Sequence, residues 1–121
     1  MPIVDIQWVV SDGKLPDGLT GRLADSLGDI FGAEPGRVWV RLSALPADCY
    51  AENGISPGQM PMPAFVRITH ADPLPRESLA SQAHAVAVAV GLCLARPSEL
   101  VHVEFAPPGR GRMAFGGKLL D

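Results

Sequence analysis

The sequence has few of the residues that hold metals and redox groups. Its 121 residues include two cysteines, Cys49 and Cys93, and three histidines, His70, His84 and His102. The cysteines fit no metal or redox spacing and the histidines are scattered, so no metal site is expected. Two free thiols fit a reducing compartment, and a cytoplasmic location is the expectation. Charge of one sign is also scarce. With ten basic and thirteen acidic residues the formal net charge is -3, which points to neither nucleic acid nor an anionic membrane as partner. No charged segment followed by an apolar stretch reads as a signal peptide. No apolar run is expected to be long enough to span a bilayer. The apolar fraction of 47% and the charged fraction of 19% describe a single globular domain, residues 1–121, large enough to bury a core.

The stretch around which the rest is organised is Met1-Pro2-Ile3-Val4-Asp5-Ile6-Gln7-Trp8-Val9-Val10. It reads as a strand beginning at Met1. Val4, Ile6, Trp8 and Val10 lie on one face, and Asp5 and Gln7 on the other. Methionine is normally trimmed before a residue as small as proline. Trimming here leaves the secondary amine of Pro2 as the chain end. A free α-amine titrates near ~8, and apolar surroundings or cationic neighbours lower that value. Such an amine can serve as a general base at neutral pH. The plain alternative is that proline is merely tolerated as a second residue.

Residues 11–18 are turn chemistry. A helix is expected from Pro16 or Asp17 to Phe31, with Leu19, Leu23, Leu27, Ile30 and Phe31 at helical spacing and Gly32 as its C-terminal cap. A second strand is expected over Arg37–Leu42. Alternation puts Val38, Val40 and Leu42 under the helix, and Arg37, Trp39 and Arg41 on the opposite face. Two arginines around a tryptophan suit an anion site as well as they suit an edge guard. Residues 45–62 read as a long loop, whose side chains best able to reach a ligand are Tyr50, Glu52 and Asn53.

The pattern then starts again. Residues 62–69 read as a strand, and Pro73-Leu74-Pro75 echoes Lys14-Leu15-Pro16. A helix is expected over residues 75–95. The Ala-Val alternation at 85–90 imitates a strand, but the length, the alanines and the spacing of Leu79, Ala83, Val86, Val90 and Leu94 favour helix. Leu100–Phe105 is a fourth strand, with His102 and Glu104 facing away from the core and His102 falling where Trp39 falls in the first unit. The glycine-rich tail 107–117 is expected to pack on another subunit.

The chain is therefore α/β, two β-α-β units in tandem, about 1–61 and 62–121. Right-handed crossovers place both helices on one face of a four-stranded mixed sheet. The opposite face, bare in a monomer, calls for a closed homo-oligomer.

With Pro2 opening the first strand, the unit duplicated and a tail ending Phe115-Gly116-Gly117, the chain resembles the tautomerase superfamily over essentially its whole length. The second half is similar to 4-oxalocrotonate tautomerase in Met62-Pro63, Arg76 and the Gly-Gly ending. The segment 64–69 and its helix are similar to 5-carboxymethyl-2-hydroxymuconate isomerase, and the length also suits the macrophage migration inhibitory factor branch. The resemblance implies a homotrimer with sites where subunits meet, no cofactor, and a small anionic carboxylate as substrate. It implies Pro2 as the catalytic base and arginines that hold the carboxylate and stabilise developing charge. Pro63 matches Pro2 in position, but its nitrogen is an amide without basicity. Arg76 matches the arginine that opens the family's helix, and Lys14 is its nearest counterpart in the first unit, without the bidentate fork. The family's strand-two arginine falls at Trp39 and His102, a departure for which Arg37 and Arg41 could compensate. The lysine that the macrophage factor carries falls near Ala33 and is absent.

These features support a cofactor-independent keto–enol tautomerase of small carboxylated enols, 2-hydroxymuconate-like or phenylenolpyruvate-like, with breakdown of aromatic compounds the usual setting for such a family. A related proline-dependent dehalogenase, hydratase or decarboxylase is the nearest alternative, with Tyr50, Glu52 or Glu104 as its extra partner. A trimeric binding protein without catalysis is the alternative of another kind, and it requires that Met1 stay on.

Overall fold

A computed structural model describes residues 2–121. The expected start of the first strand at Met1 therefore lies outside the described residues. β1 runs Ile3–Val10, α1 Leu19–Phe31, β2 Trp39–Pro46, β3 Ala64–Thr69, α2 Arg76–Leu94 and β4 Val101–Phe105. A short hairpin of β5, Ala114–Phe115, and β6, Lys118–Leu119, closes the chain. The four long strands form one sheet in the order β2-β1-β3-β4. β1 is parallel to β2, β3 is parallel to β4, and the two inner strands are antiparallel. The expected mixed sheet of two β-α-β units is what the chain forms.

Its core follows from the period-two pattern. Val4, Ile6, Val66 and Ile68 of the inner strands are at most 1% exposed. They share one apolar cluster with Leu19, Leu23 and Leu27 of α1 and Val86, Val90 and Leu94 of α2. Both helices thus cover the same face. On the edge strands the corresponding residues Val40, Leu42, Val103 and Phe105 are only half-buried.

The two helices end alike. Gly32 (φ 59) and Ala95 (φ 54) are both left-handed. The next residue in each case, Ala33 or Arg96, donates its N–H back to the carbonyl of Gly28 or Gly91, at 3.0 and 2.9 Å. These positions are 63 residues apart. The same spacing relates Trp39, which pairs with Ile3, to His102, which pairs with Phe65. In β1 and β3 the equivalent spacing is 62, which keeps the core face on the core face. The spacing of 61 suggested by Met1-Pro2 and Met62-Pro63 would set core residue Ala64 on Ile3, which points to the other face.

Several boundaries depart from the sequence expectation. α1 begins at Leu19, not at Pro16 or Asp17, because Gly18 is left-handed (φ 75) and cannot lie inside a right-handed helix. β2 begins two residues late. Gly36 has φ 80 and the N–H of Arg37 closes a turn on the carbonyl of Glu34 (3.1 Å), so Arg37 precedes the strand and does not share a strand face with Trp39. β2 also runs on to Pro46, since β1 supplies backbone partners as far as Val10. β3 begins at Ala64, after Pro63, which has no N–H to give a ladder. The base of the tail is also tied to its own chain. Gly109 and Arg110 donate backbone N–H groups to the carbonyls of His70 and Ala71, both at 2.8 Å. The expectation about apolar runs also needs correction. α2 is long and apolar enough, by length and composition, to cross a membrane. Its buried Val86, Val90, Gly91 and Leu94 pack it against the rest of the domain as a covering helix.

Candidate active site

Pro2 is buried at the head of the sheet, just before β1. Its carbonyl accepts the backbone N–H of Trp39 at 3.2 Å, so the ladder between β1 and β2 begins at this residue. The position of the Pro2 ring is therefore fixed by a strand on a rigid sheet. Beside it the Trp39 indole is 44% exposed. The indole N–H donates to the Gly36 carbonyl at 3.0 Å. Phe115 of the C-terminal hairpin meets the indole edge-on, ring centres 5.3 Å apart. Gly116 and Gly117, at φ 60 and 85, supply the left-handed turn that lets the hairpin reverse at that point. The outcome is an aromatic pair that joins β2 to the C-terminal hairpin.

Cations lie around this corner. Arg37 is exposed in the turn before β2. Arg41 lies two residues into the strand, and its guanidinium holds the Asp5 carboxylate with both arms, at 2.5 and 2.8 Å. That hydrogen bond, with the charge attraction behind it, pushes Arg41 still higher than its ordinary range. Thr69, the last residue of β3, pairs with Ile3, so the turn 70–75 and Arg76 at the start of α2 are at the same end of the sheet as Pro2.

The other two residues expected at the site lie elsewhere in the subunit. Lys14 follows the C-terminal end of β1, opposite to Pro2, and its backbone N–H donates to Asp12 at 3.0 Å. His102 is on β4, two strands away from β1, in the cross-strand row of Ser43, Gln7 and Phe65. Its ring lies 5.6 Å from that of Phe65, which lies 5.8 Å from that of Tyr50. The Tyr50 hydroxyl donates to Glu52 at 2.6 Å. This bond to the carboxylate is the main reason the phenol is pushed up to about 12.

A concavity of about 480 Å³ occupies the outer face of the sheet, lined by Gln7, Arg41, Phe65, Arg67, His102 and Glu104 among others. It does not include Pro2. On its floor Arg41, Asp5, Arg67 and Glu104 stand side by side across all four strands. Arg67 donates to Glu104 at 2.9 Å. Sequence reasoning placed Arg41 on this face but missed Asp5 as its partner. The signal available was two outward-facing residues of opposite charge on strands expected to be adjacent. Phe115 as the neighbour of Trp39 was also missed. Among the described residues no cluster of three or more His, Cys, Asp or Glu side chains could hold a metal ion.

No protein-family model matches the sequence. No curated protein matches it either. Solved structures do. A fused 4-OT described as a wild-type symmetric trimer is 19% identical with a TM-score of 0.77, over 98% of this chain and 94% of that one. The protein Pt0534, inactivated by 2-oxo-3-pentynoate, is also 19% identical, with a TM-score of 0.75 and the same coverage. The macrophage migration inhibitory factor of Oncomelania hupensis is 17% identical with a TM-score of 0.73, over 100% of this chain and 83% of that one. The chain has the fold of the tautomerase superfamily.

Proposed function

We propose that the protein is a cofactor-independent tautomerase that moves a proton between the enol and keto forms of a small carboxylated acid, 2-hydroxymuconate-like or phenylenolpyruvate-like. The general base is the amine of Pro2 once Met1 has been removed, and the working form is a homotrimer in the cytoplasm. The observation that carries this reading is a buried proline at the head of the sheet, whose carbonyl opens the β1–β2 ladder at Trp39. Tautomerisation by this route requires surroundings that disfavour the charged form of the amine. The base takes the proton of the enol oxygen or of a carbon and returns it to the carbon of the other isomer. Arg37 and Arg76 meet the carboxylate and the charge that develops on the enolate oxygen, and Arg41 joins them only by giving up its pair with Asp5. Trp39 packs on the planar conjugated body of the acid. Lys14 and His102 lie away from Pro2 in one subunit, and they serve the site only if a neighbouring copy brings them to it.

The test combines intact mass with ketonisation of phenylenolpyruvate by the protein and by Pro2→Ala. A chain lacking Met1 whose activity disappears in the variant supports the reading. Retained methionine, or full activity in the variant, sinks it. Since the similar protein Pt0534 is inactivated by 2-oxo-3-pentynoate, the same reagent is expected to add one label to the peptide that begins with Pro2.

The bond from Tyr50 to Glu52 supports a second reading, proline-dependent hydration, dehalogenation or decarboxylation, in which a phenol kept neutral up to about 12 donates a proton. The two readings separate on the Pro2 amine. Tautomerisation needs it to titrate below neutrality, and the second chemistry needs it above.

A further inference from the structure

β1 lies between β2 and β3 in the sheet, so a segment that reaches from β3 to β2 at the Pro2 end crosses the head of β1. The C-terminal hairpin is such a segment. Its root is tied to the connection after β3, where Gly109 and Arg110 donate to the carbonyls of His70 and Ala71. Thr69, just before them, pairs with Ile3, which puts this tie at the level of Pro2. Its other side rests on β2. There Phe115 meets the ring of Trp39, the residue whose N–H bonds the Pro2 carbonyl. The hairpin is internally braced. Gly111 donates to the Leu120 carbonyl and Leu120 to the Met113 carbonyl, both at 2.7 Å, and the Met113 N–H returns to the Gly109 carbonyl at 2.9 Å. Among the described residues one ion pair fastens this unit to the domain. Arg110 holds Asp72 with two arms, at 2.5 and 2.9 Å, and bonds the Asp121 carbonyl at 2.9 Å. One guanidinium thus gathers the root of the hairpin, its end and the connection after β3.

We propose that Asp72 and Arg110 are positioning residues for the Pro2 site: their ion pair latches the hairpin as a strap across the head of β1 and so restricts the amine to small acids. This inference rests on the reading of Pro2 as the reactive group and goes further by assigning what limits the size of its substrates. A small acid reaches the amine past the closed strap, and a bulky one needs the strap released. The two side chains are at the surface, Arg110 44% and Asp72 58% exposed, so water screens them. A two-armed pair in such a place shifts an opening equilibrium by up to about fivefold, enough to bias the strap and too little to seal it.

The test compares two reagents on the full chain, 2-oxo-3-pentynoate and its bulkier relative 2-oxo-4-phenyl-3-butynoate. Each carries one carboxylate. Each adds the Pro2 amine across its triple bond: nitrogen bonds the alkyne carbon far from the ketone, the near carbon takes the proton, and nothing leaves. The readout is the labelling rate of the phenyl reagent at Pro2 divided by that of the pentynoate, taken relative to the original protein. D72N and R110Q change the local charge in opposite senses, and a purely electrostatic effect acts alike on both anionic reagents and cancels from the ratio. Both variants are expected to raise the ratio about threefold to fivefold, and the exchanged pair, D72R with R110D, to bring it back towards the original. A second measurement reads the strap without Pro2. Trypsin should cut after Arg112 and Lys118 faster in D72N and in R110Q than in the original protein. Label on Pro2 with an unchanged ratio overturns the strap and leaves the proline reading intact. Tryptic cleavage as slow in both variants as in the original overturns the latch. No label on Pro2 in any of the proteins overturns both the strap and the proline reading.

Discussion

The two β-α-β halves solve the same problems with different residues. Each helix ends in a left-handed residue, but the first half uses Gly32 and the second uses Ala95. One turn earlier Gly28 faces open space, whereas a Cβ on Gly91 would lie 2.7 Å from the Arg96 carbonyl oxygen. Each half also has a buried proline at the head of its first strand, Pro2 and Pro63. Only Pro2 can have a basic nitrogen, because the nitrogen of Pro63 is an amide. The backbone plan is therefore shared, and it tolerates side chains that suit it poorly. What chemistry the fold supports rests on single positions in one half.

The prolines offer the sharpest break in this likeness. Pro2→Ala should lower turnover of phenylenolpyruvate by about 10² to 10⁴-fold, the range for losing a positioned general base. Pro63→Ala should leave turnover unchanged, and steady-state rates on the two variants decide it. Next come the helix glycines. Gly91→Ala forces a methyl group against backbone and should cost about 1–3 kcal/mol in urea unfolding. Gly28→Ala, in open space, should stabilise by up to ~1 kcal/mol through helix propensity. Equal effects from the two would show that the close approach at Gly91 relaxes freely. The caps should respond in the opposite sense. Ala95→Gly removes a left-handed alanine and should gain roughly 1 kcal/mol, while Gly32→Ala should lose about as much. The smallest effect concerns the tail, which has no counterpart in the first half. Arg110 holds Asp72 through two hydrogen bonds, at 2.5 and 2.9 Å, and these hold the Asp72 carboxyl below its usual range. A carboxyl depressed on folding contributes stability above its unfolded pKa, and that contribution is lost as pH falls through the folded value. The tail should accordingly become more sensitive to proteolysis in acid, and Asp72→Asn should show the acid behaviour already at neutral pH.

Much of this architecture was legible in the chain. The alternation of Val4, Ile6, Trp8 and Val10 fixed the face that β1 buries, and the leucines of α1 fixed the face that covers it. The helical reading of residues 85–90 held because tertiary burial follows Val86 and Val90, four apart, and not every second residue. What escaped depends on partners. β2 extends to Pro46 because β1 is there to pair with it, which no property of Leu45 or Pro46 announces. Arg37 left its expected strand because Gly36 turns the chain, and alternation alone does not register a turn so close to a strand. At the candidate site Pro2, Trp39 and Arg41 could be placed at the same corner from strand order. Register could not be read, and register is what sets Asp5 against Arg41 and Phe115 beyond Trp39.

In β1 and β3, residues whose numbers differ by 62 are equivalent. Asp5 and Arg67 differ by 62 and are also cross-strand partners. They therefore sit on the axis that relates the halves, where a residue faces its own counterpart. In a protein with two identical halves, whichever residue held that place would face its twin, aspartate against aspartate or arginine against arginine, which is unfavourable for directly opposed charges. At this one place, then, equivalence of the halves would set like charges opposite each other, at a cost of roughly 0.2–1 kcal/mol.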